Sequence, residues 1–392
     1  MKMQNNPEGL GIYVHIPFCV RKCNYCDFLS FTAAKETKEA YFDALKREMD
    51  SYCGAGHQKP RTIYFGGGTP SSVEPEYIED ILCQMKKCFS IDIWKPLEVT
   101  LEVNPKTVDS KKWKQYKQMG INRISMGLQS THEEELKLLG RIHDYDDFLE
   151  SFYEAREAGF DNISVDVMAA LPGQSLEKYK ETLERVVLLQ PEHISSYSLI
   201  VEEGTPFEKL YGEGAPKEHM LPDEELDRKM YQLTQKLLKD HGYHRYEISN
   251  YAKPGRESKH NSSYWERIPY IGLGLGASSF FDGKRYQNTS DMKRYLKHSQ
   301  DRNIRVVEEE VIGRKEAMEE FMFLGLRKTK GVLKSDFKHF FGTEMENIYG
   351  TVLKSLSAQQ VLIEEEDVVR LSEYGLDVSN MVLSHFLLEE ER

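Results

Sequence analysis

Along the first half of the chain, hydrophobic positions fall into two alternating patterns. Six short runs are nearly continuous in apolar and β-branched residues: Ile12–Ile16, Thr62–Phe65, Glu98–Val103, Arg123–Leu128, Ile163–Met168 and His193–Leu199. Between them, Ala34–Tyr52, Glu76–Phe89, Ser110–Met119, Tyr145–Ala158 and Leu176–Leu189 carry apolar residues at helical spacing beside charged faces. Runs that are apolar on both faces suit strands covered on both sides, and the amphipathic segments supply the cover. Strict alternation of the two predicts an α/β chain with a parallel sheet and helices outside it. Six such units make a partial (β/α)6 barrel, whose working loops lie at the C-terminal ends of the strands.

Past Leu199 the pattern loosens. Glu224–His241 reads as a long helix and Tyr243–Tyr251 as an extended segment. Lys253–Ser263, polar and holding Pro254 and Gly255, reads as a loop or linker. Ile271–Phe281 is apolar and rich in glycine, too buried in character for a hinge. After Val307, helices are expected at Glu316–Leu326, Phe337–Phe341 and Met345–Leu356, followed by a hairpin over Val361–Leu371 that turns at Glu364–Asp367. That order predicts a small α+β, winged-helix-like C-terminal domain. The division is then a core barrel over 1–245, a linker and barrel-extending segment over 246–306, and the C-terminal domain over 307–392.

Composition narrows the function. A length of 392 residues suffices for one large domain and a smaller one. The net charge of −12 excludes nucleic-acid backbone binding as the main task, and the basic run Lys106–Lys117 reads as a solvated helix face. The acidic hairpin tip (Glu364, Glu365, Glu366, Asp367) would repel phosphate, so closure over the barrel or a protein contact is the expected role of the C-terminal domain. Six cysteines are too few for a secreted disulfide framework, and Cys53, Cys83 and Cys88 read as ordinary core or surface thiols. No apolar run approaches the roughly twenty residues of a membrane span, and MKMQNNPEGLG has no apolar signal core. A cytoplasmic protein is expected.

The chemistry concentrates in Gly11–Phe28, GIYVHIPFCVRKCNYCDF. A strand-like run ends at Pro17, and Cys19, Cys23 and Cys26 follow in C-x3-C-x2-C spacing. Three thiolates suit a [4Fe-4S] cluster with one open iron, because closed zinc sites and electron-transfer clusters recruit four protein ligands. A zinc half-site or three buried small residues are the competing readings. Gly66-Gly67-Gly68-Thr69-Pro70 follows the second strand, where it is either a tight turn or a loop that meets a ligand with its backbone. His260-Asn261-Ser262-Ser263-Tyr264-Trp265 places a histidine beside two aromatics. Such a residue is either a packing histidine or an axial ligand to heme iron.

The cysteine stretch resembles the signature of radical S-adenosylmethionine (SAM) enzymes. Its flanks, HIPFC and YCDF, resemble the HemW-type heme chaperone branch of the family that includes oxygen-independent coproporphyrinogen III oxidase. The resemblance runs from Tyr13 into the C-terminal domain and implies an open six-unit barrel, a cluster and bound SAM. It makes GGGTP the loop for SAM's methionine moiety, with Glu102 accepting from the amino group and Arg141 pairing with the carboxylate. Gln129 and Asp166 would hold the ribose hydroxyls. By register, Tyr13, Tyr25, Gly67, Gly68, Thr69, Glu102, Gln129, Arg141 and Asp166 match SAM-binding positions, and Ile200 and Ser278 match adenine-side positions more weakly. HNSSYW coincides with the branch's HNxxYW motif, which makes His260 the leading heme-ligand candidate, whereas His15 is expected to orient the cluster loop.

Two functions share this machinery: a heme chaperone that delivers heme to acceptor proteins, and an oxidase that decarboxylates coproporphyrinogen III. The oxidase pattern ends in C-x-C, whereas this chain has Cys26-Asp27-Phe28, and only eighteen residues precede Cys19. Both features favour the chaperone. The expected partners are heme, heme-acceptor proteins, an electron donor and transiently a membrane protein.

Overall fold

The six apolar runs become six strands: β1 (Leu10–Ile16), β2 (Pro60–Gly67), β3 (Glu98–Val103), β4 (Arg123–Gln129), β5 (Ile163–Ala169) and β6 (His193–Ser198). They lie side by side in chain order, each parallel to the next. The computed structural model describes residues 9–53, 59–89 and 97–388; the start of the stretch read for a leader (1–8) and residues 389–392 lie outside them. Helices α1 (Lys35–Asp50), α2 (Pro75–Cys88), α3 (Ser110–Met119), α4 (Glu133–Leu139), α5 (Tyr145–Glu157) and α6 (Leu176–Leu188) fill the connections. Each has a local cause. In α2, Ile78, Ile81, Leu82 and Met85 form one buried stripe. Asp109 and Ser175 cap α3 and α6, and Asp144 with Asp147 makes a capping box for α5. Such a cap is worth about 1 kcal/mol.

The sheet continues beyond the six. After α7 (Pro206–Tyr211) and α8 (Glu224–Asp240), the segment expected to be extended over Tyr243–Tyr251 forms two short strands, β7 (His244–Arg245) and β8 (Asn250–Ala252). β8 pairs antiparallel with β6. The expected loop over Lys253–Ser263 is corrected at its end, where α9 (Lys259–Trp265) begins, capped by Ser258, which accepts from Asn261 N–H. The breakers Pro254 and Gly255 precede that cap and so do not prevent the helix. β9 (Tyr270–Leu273) then pairs parallel with β1, and β10 (Ser278–Phe281), β11 (Lys284–Asn288) and β12 (Val306–Val311) follow antiparallel, giving twelve strands. Ile271, Leu273 and Leu275 are fully buried, as expected of that stretch. Helices α10 (Met292–His298) and α11 (Arg302–Arg305) return to α1, where buried Arg305 and Glu48 pair at 3.2 Å.

α12 (Arg314–Gly325), β13 (Val332–Leu333), α13 (Lys334–Phe341), α14 (Met345–Ala358), β14 (Leu362–Glu364) and β15 (Val368–Leu371) form the C-terminal unit. The last three strands make a separate antiparallel sheet in the order β13-β15-β14. Phe337, Tyr349, Leu353, Val369 and Phe386 lie in a second core, which runs from Ile312 onward and also takes in Phe280 of β10. The sequence division at 307 falls inside β12, which is hydrogen-bonded into the large sheet through β11. A second correction concerns the thiols: Cys53, just past α1, and Cys88, at the end of α2, are joined in a disulfide because the ends of these helices meet.

Candidate cluster and cofactor site

The cysteine loop leaves the C-terminal end of β1 and is pinned at both sides. Phe18 is fully buried against Phe31 and Tyr41, with ring centroids 5.9 and 5.2 Å away. Cys19 N–H donates to Phe31 O at 3.0 Å and Phe31 N–H to Pro17 O at 2.9 Å, which closes the loop's base. Asn24 donates from its backbone to Leu139 O and from its side chain to Leu138 O, both at 2.9 Å. It thereby satisfies carbonyls that the end of α4 leaves free. Within this frame Cys19, Cys23 and Cys26 are free, half-buried thiols. Thr69 Oγ1 donates to Cys19 Sγ at 3.5 Å and Arg141 Nη1 to Cys23 Sγ at 3.6 Å. His15 donates from Nε2 to Leu29 O at 2.9 Å while Nδ1 accepts from the Tyr13 hydroxyl at 3.0 Å. It holds the loop's return, as expected.

The glycine loop packs directly on this frame. Gly67 has φ +116°, and a Cβ there would lie 2.6 Å from the His15 ring. A Cβ on Gly68 would lie 2.8 Å from Phe18 O and 3.0 Å from Cys19 Sγ. These two glycines are therefore required by the cysteine loop itself. Gly67 N–H donates to Glu102 Oε2 at 3.1 Å, and the Tyr64 hydroxyl donates to Glu102 Oε1 at 2.8 Å. Burial pushes the Glu102 carboxyl up to about 7, with Asp166 adding repulsion and these two bonds opposing. Asp166, facing Ser125 at 3.3 Å and Ser164 at 3.4 Å, is pushed by burial to about 6.

Arg141 is more heavily engaged than expected. Its Nη2 donates to Asn104 Oδ1 at 2.6 Å and to Gly127 O at 2.8 Å, so its fork ties the loops together, and Nε has no hydrogen-bond partner among the described residues. Asn104 in turn donates to Thr69 Oγ1 at 2.9 Å. Gln129 sits at φ +70° beside a register shift in β4, and its buried Oε1 is likewise without a partner. A Cβ on Gly127 would touch Gln129 Nε2, Asn104 Oδ1 and Arg141 Nη2 at 3.0 to 3.2 Å, which shows how closely these groups converge. Tyr25 packs edge-on against Phe207 at 6.3 Å, and Tyr13 lies 6.2 Å from Tyr64. Ile200 and Ser278 are exposed. Sequence reasoning missed Asn104 and Tyr64. Alternation along the strands could have found Asn104, two residues past Glu102 and so on the same face. Three free thiols with donors on two of them, and a buried acceptor and donor left unpaired, fit a three-thiolate cluster with a polar ligand beside it.

His260 stands apart from the cysteine and glycine loops. It lies at the opposite end of the barrel, beside Thr62 and Glu98 at the beginnings of β2 and β3, and is 1% exposed. Nδ1 bonds Thr62 Oγ1 at 2.8 Å and Nε2 bonds the Tyr264 hydroxyl at 2.8 Å. Glu98 accepts from the His260 and Lys259 backbone N–H groups at 3.0 and 3.2 Å, and Tyr64 stacks on the ring at 5.0 Å. Burial lowers the imidazole to about 3, so the ring is neutral, with one nitrogen donating and the other accepting. An iron bond at either nitrogen would require opening this floor. In this arrangement the residue is a structural plug.

Residues 13–186 match the family model of the radical SAM superfamily, and residues 312–378 match the HemN C-terminal domain. The fold superposes on coproporphyrinogen III oxidase (HemN) from Escherichia coli, described as a radical SAM enzyme, with a TM-score of 0.82. That alignment covers 98% of this chain and 92% of the other at 20% identity, a likeness of fold. The molecule is thus a radical SAM protein with a HemN-type C-terminal domain. Among curated relatives, the heme chaperone HemW of Bacillus subtilis (strain 168) is 37% identical over 96% of this chain and 99% of its own length. The heme chaperone HemW of E. coli (strain K12) is 32% identical over 97% and 98%. A mitochondrial radical SAM domain-containing protein 1 from Danio rerio is 30% identical over 100% and 89%. The chain belongs to the HemW family. Among the described residues no helix is long and apolar enough to cross a membrane.

Proposed function

We propose that this protein binds heme and passes it to acceptor proteins, with a [4Fe-4S] cluster and SAM held in the barrel. The observation that carries this reading is identity of 37% to a named heme chaperone across nearly the full length of both chains. Cys19, Cys23 and Cys26 would hold the cluster, and Glu102, Gln129, Arg141 and Asp166 would surround SAM. When bound, the reduced cluster supplies an electron to SAM's sulfonium. The chain's own part is to orient and shield. Glu102 offers a carboxylate to the ammonium group, Gln129 Oε1 and Asp166 offer acceptors to hydroxyls, and the Arg141–Asn104–Thr69 chain fixes the cysteine loop against the glycine loop. A reducing compartment such as the cytoplasm suits the three free thiols. An electron donor and a transient contact with a membrane-bound acceptor complete the proposed partners.

The test is anaerobic. Reconstituted protein loaded with heme is mixed with an apo-acceptor, and in parallel with coproporphyrinogen III and SAM. Transfer of heme without formation of protoporphyrinogen is the expected result. Efficient decarboxylation without heme transfer would replace the chaperone by the oxidase.

A further inference from the structure

A cavity of about 400 Å3 lies between α9, the β9–β11 strands and α12, at the junction of the barrel with the C-terminal unit. Its volume is in the range of small-molecule sites. The walls are aromatic, with Tyr264 and Trp265 from α9, Tyr270 from β9 and Phe280 from β10. Two features point to an anionic occupant. Trp265 Nε1 and Arg267 Nη2 are buried donors with no hydrogen-bond partner among the described residues. Two guanidiniums share one carboxylate, since Arg267 Nε and Arg285 Nη1 both donate to Glu320, at 3.0 and 2.7 Å. The lining therefore carries an excess positive charge beside unmet N–H groups, against flat apolar surfaces. A buried donor without a partner is destabilising, so a ligand supplying carboxylate oxygens is favoured here.

Resting on the heme-chaperone reading, we propose that this cavity receives heme by its propionate edge, with Arg267 and Trp265 as the carboxylate donors and the aromatic walls against the macrocycle. In this arrangement His260 positions Tyr264 through its 2.8 Å bond and does not ligate iron. The test is a titration of cluster-loaded full-length protein with heme and with heme dimethyl ester, followed by the Soret band. Heme should bind about tenfold or more tighter than the ester, whose propionates cannot form charge-assisted bonds. Arg267→Gln should lose most of that difference, and Trp265→Phe part of it, with cluster absorbance unchanged in both. If Arg267→Gln fails to fold, Arg285→Gln, at a half-exposed position, removes the excess positive charge of the lining and leaves Glu320 to Arg267 alone, so it should also narrow the difference. Equal binding of heme and ester by the wild type would overturn this site while leaving the chaperone reading intact. Absence of heme binding by the wild type would overturn both.

Discussion

The two ends of one barrel lumen are built on opposite terms. At the C-terminal ends of the strands, three free thiols sit beside Glu102 and Asp166, whose carboxyls burial raises to about 7 and about 6, and beside the unpaired Gln129 Oε1 and Arg141 Nε. At the N-terminal ends, both nitrogens of His260 are bonded, Glu98 accepts two backbone N–H groups, and Tyr64 stacks over the ring. Buried polar groups are normally satisfied, so the fully bonded groups around His260 serve stability, whereas the unpaired groups beside the thiols leave capacity for a ligand. Tyr64 joins the two, with its hydroxyl on Glu102 and its ring on His260.

The largest effect expected from this contrast is loss of the cluster. Cys19→Ala, Cys23→Ala and Cys26→Ala should each abolish the roughly four irons of an anaerobically reconstituted chain, whereas Cys53→Ala, whose residue is paired with Cys88, should retain them. Iron analysis and absorbance decide it; iron lost from the Cys53 variant would show that the ligand set is wrong. Next in size is a difference in stability between the ends. His260→Ala strands the Thr62 and Tyr264 hydroxyls and opens a cavity in the floor, at a cost of about 2–4 kcal/mol. Gln129→Met removes an acceptor already unpaired and should shift stability by less than about 1 kcal/mol. Denaturant melts of both variants would measure this. Equal losses at the two ends would remove the distinction between a built floor and a waiting site.

Much of this was legible from hydrophobic pattern, because parallel strands buried on both faces leave long apolar runs. Glu98–Val103 and Ser110–Met119 coincide with β3 and α3 residue for residue. The cysteine spacing likewise sufficed to mark three free thiols on one loop. What escaped depended on pairs distant in sequence. HNSSYW announces a histidine among aromatics, yet only the register of Thr62 and Glu98 decides that its ring plugs the barrel floor. The two glycines read as close approach to a ligand owe their necessity to His15 and Phe18, at separations of 52 and 50 residues respectively. The meeting of Cys53 and Cys88 follows from how α1 and α2 pack, which neither helix's sequence records.

The remaining effects concern SAM itself. Glu102→Gln keeps the shape of the site but removes the charge offered to an ammonium group, so SAM affinity should fall about tenfold or more at unchanged iron content. The smallest effect is the pH dependence of that same bond. Because burial raises the Glu102 carboxyl to about 7, acid protonates it within the neutral range and alkali charges it. For the ligand-free fold the sign is unfavourable to alkali, since the charged form is the one that burial penalises and stability declines as pH rises from the ordinary carboxylate range through about 7. For SAM the sign reverses, since the ammonium group needs the charged partner. Affinity measured at matched cluster content should therefore rise several-fold from about pH 6 to about pH 8. In Glu102→Gln the profile should be flat. A wild-type profile that is equally flat would mean that Glu102 is already ionised at the lower pH or does not face the amino group, and it would take the open end's polarity out of SAM recognition.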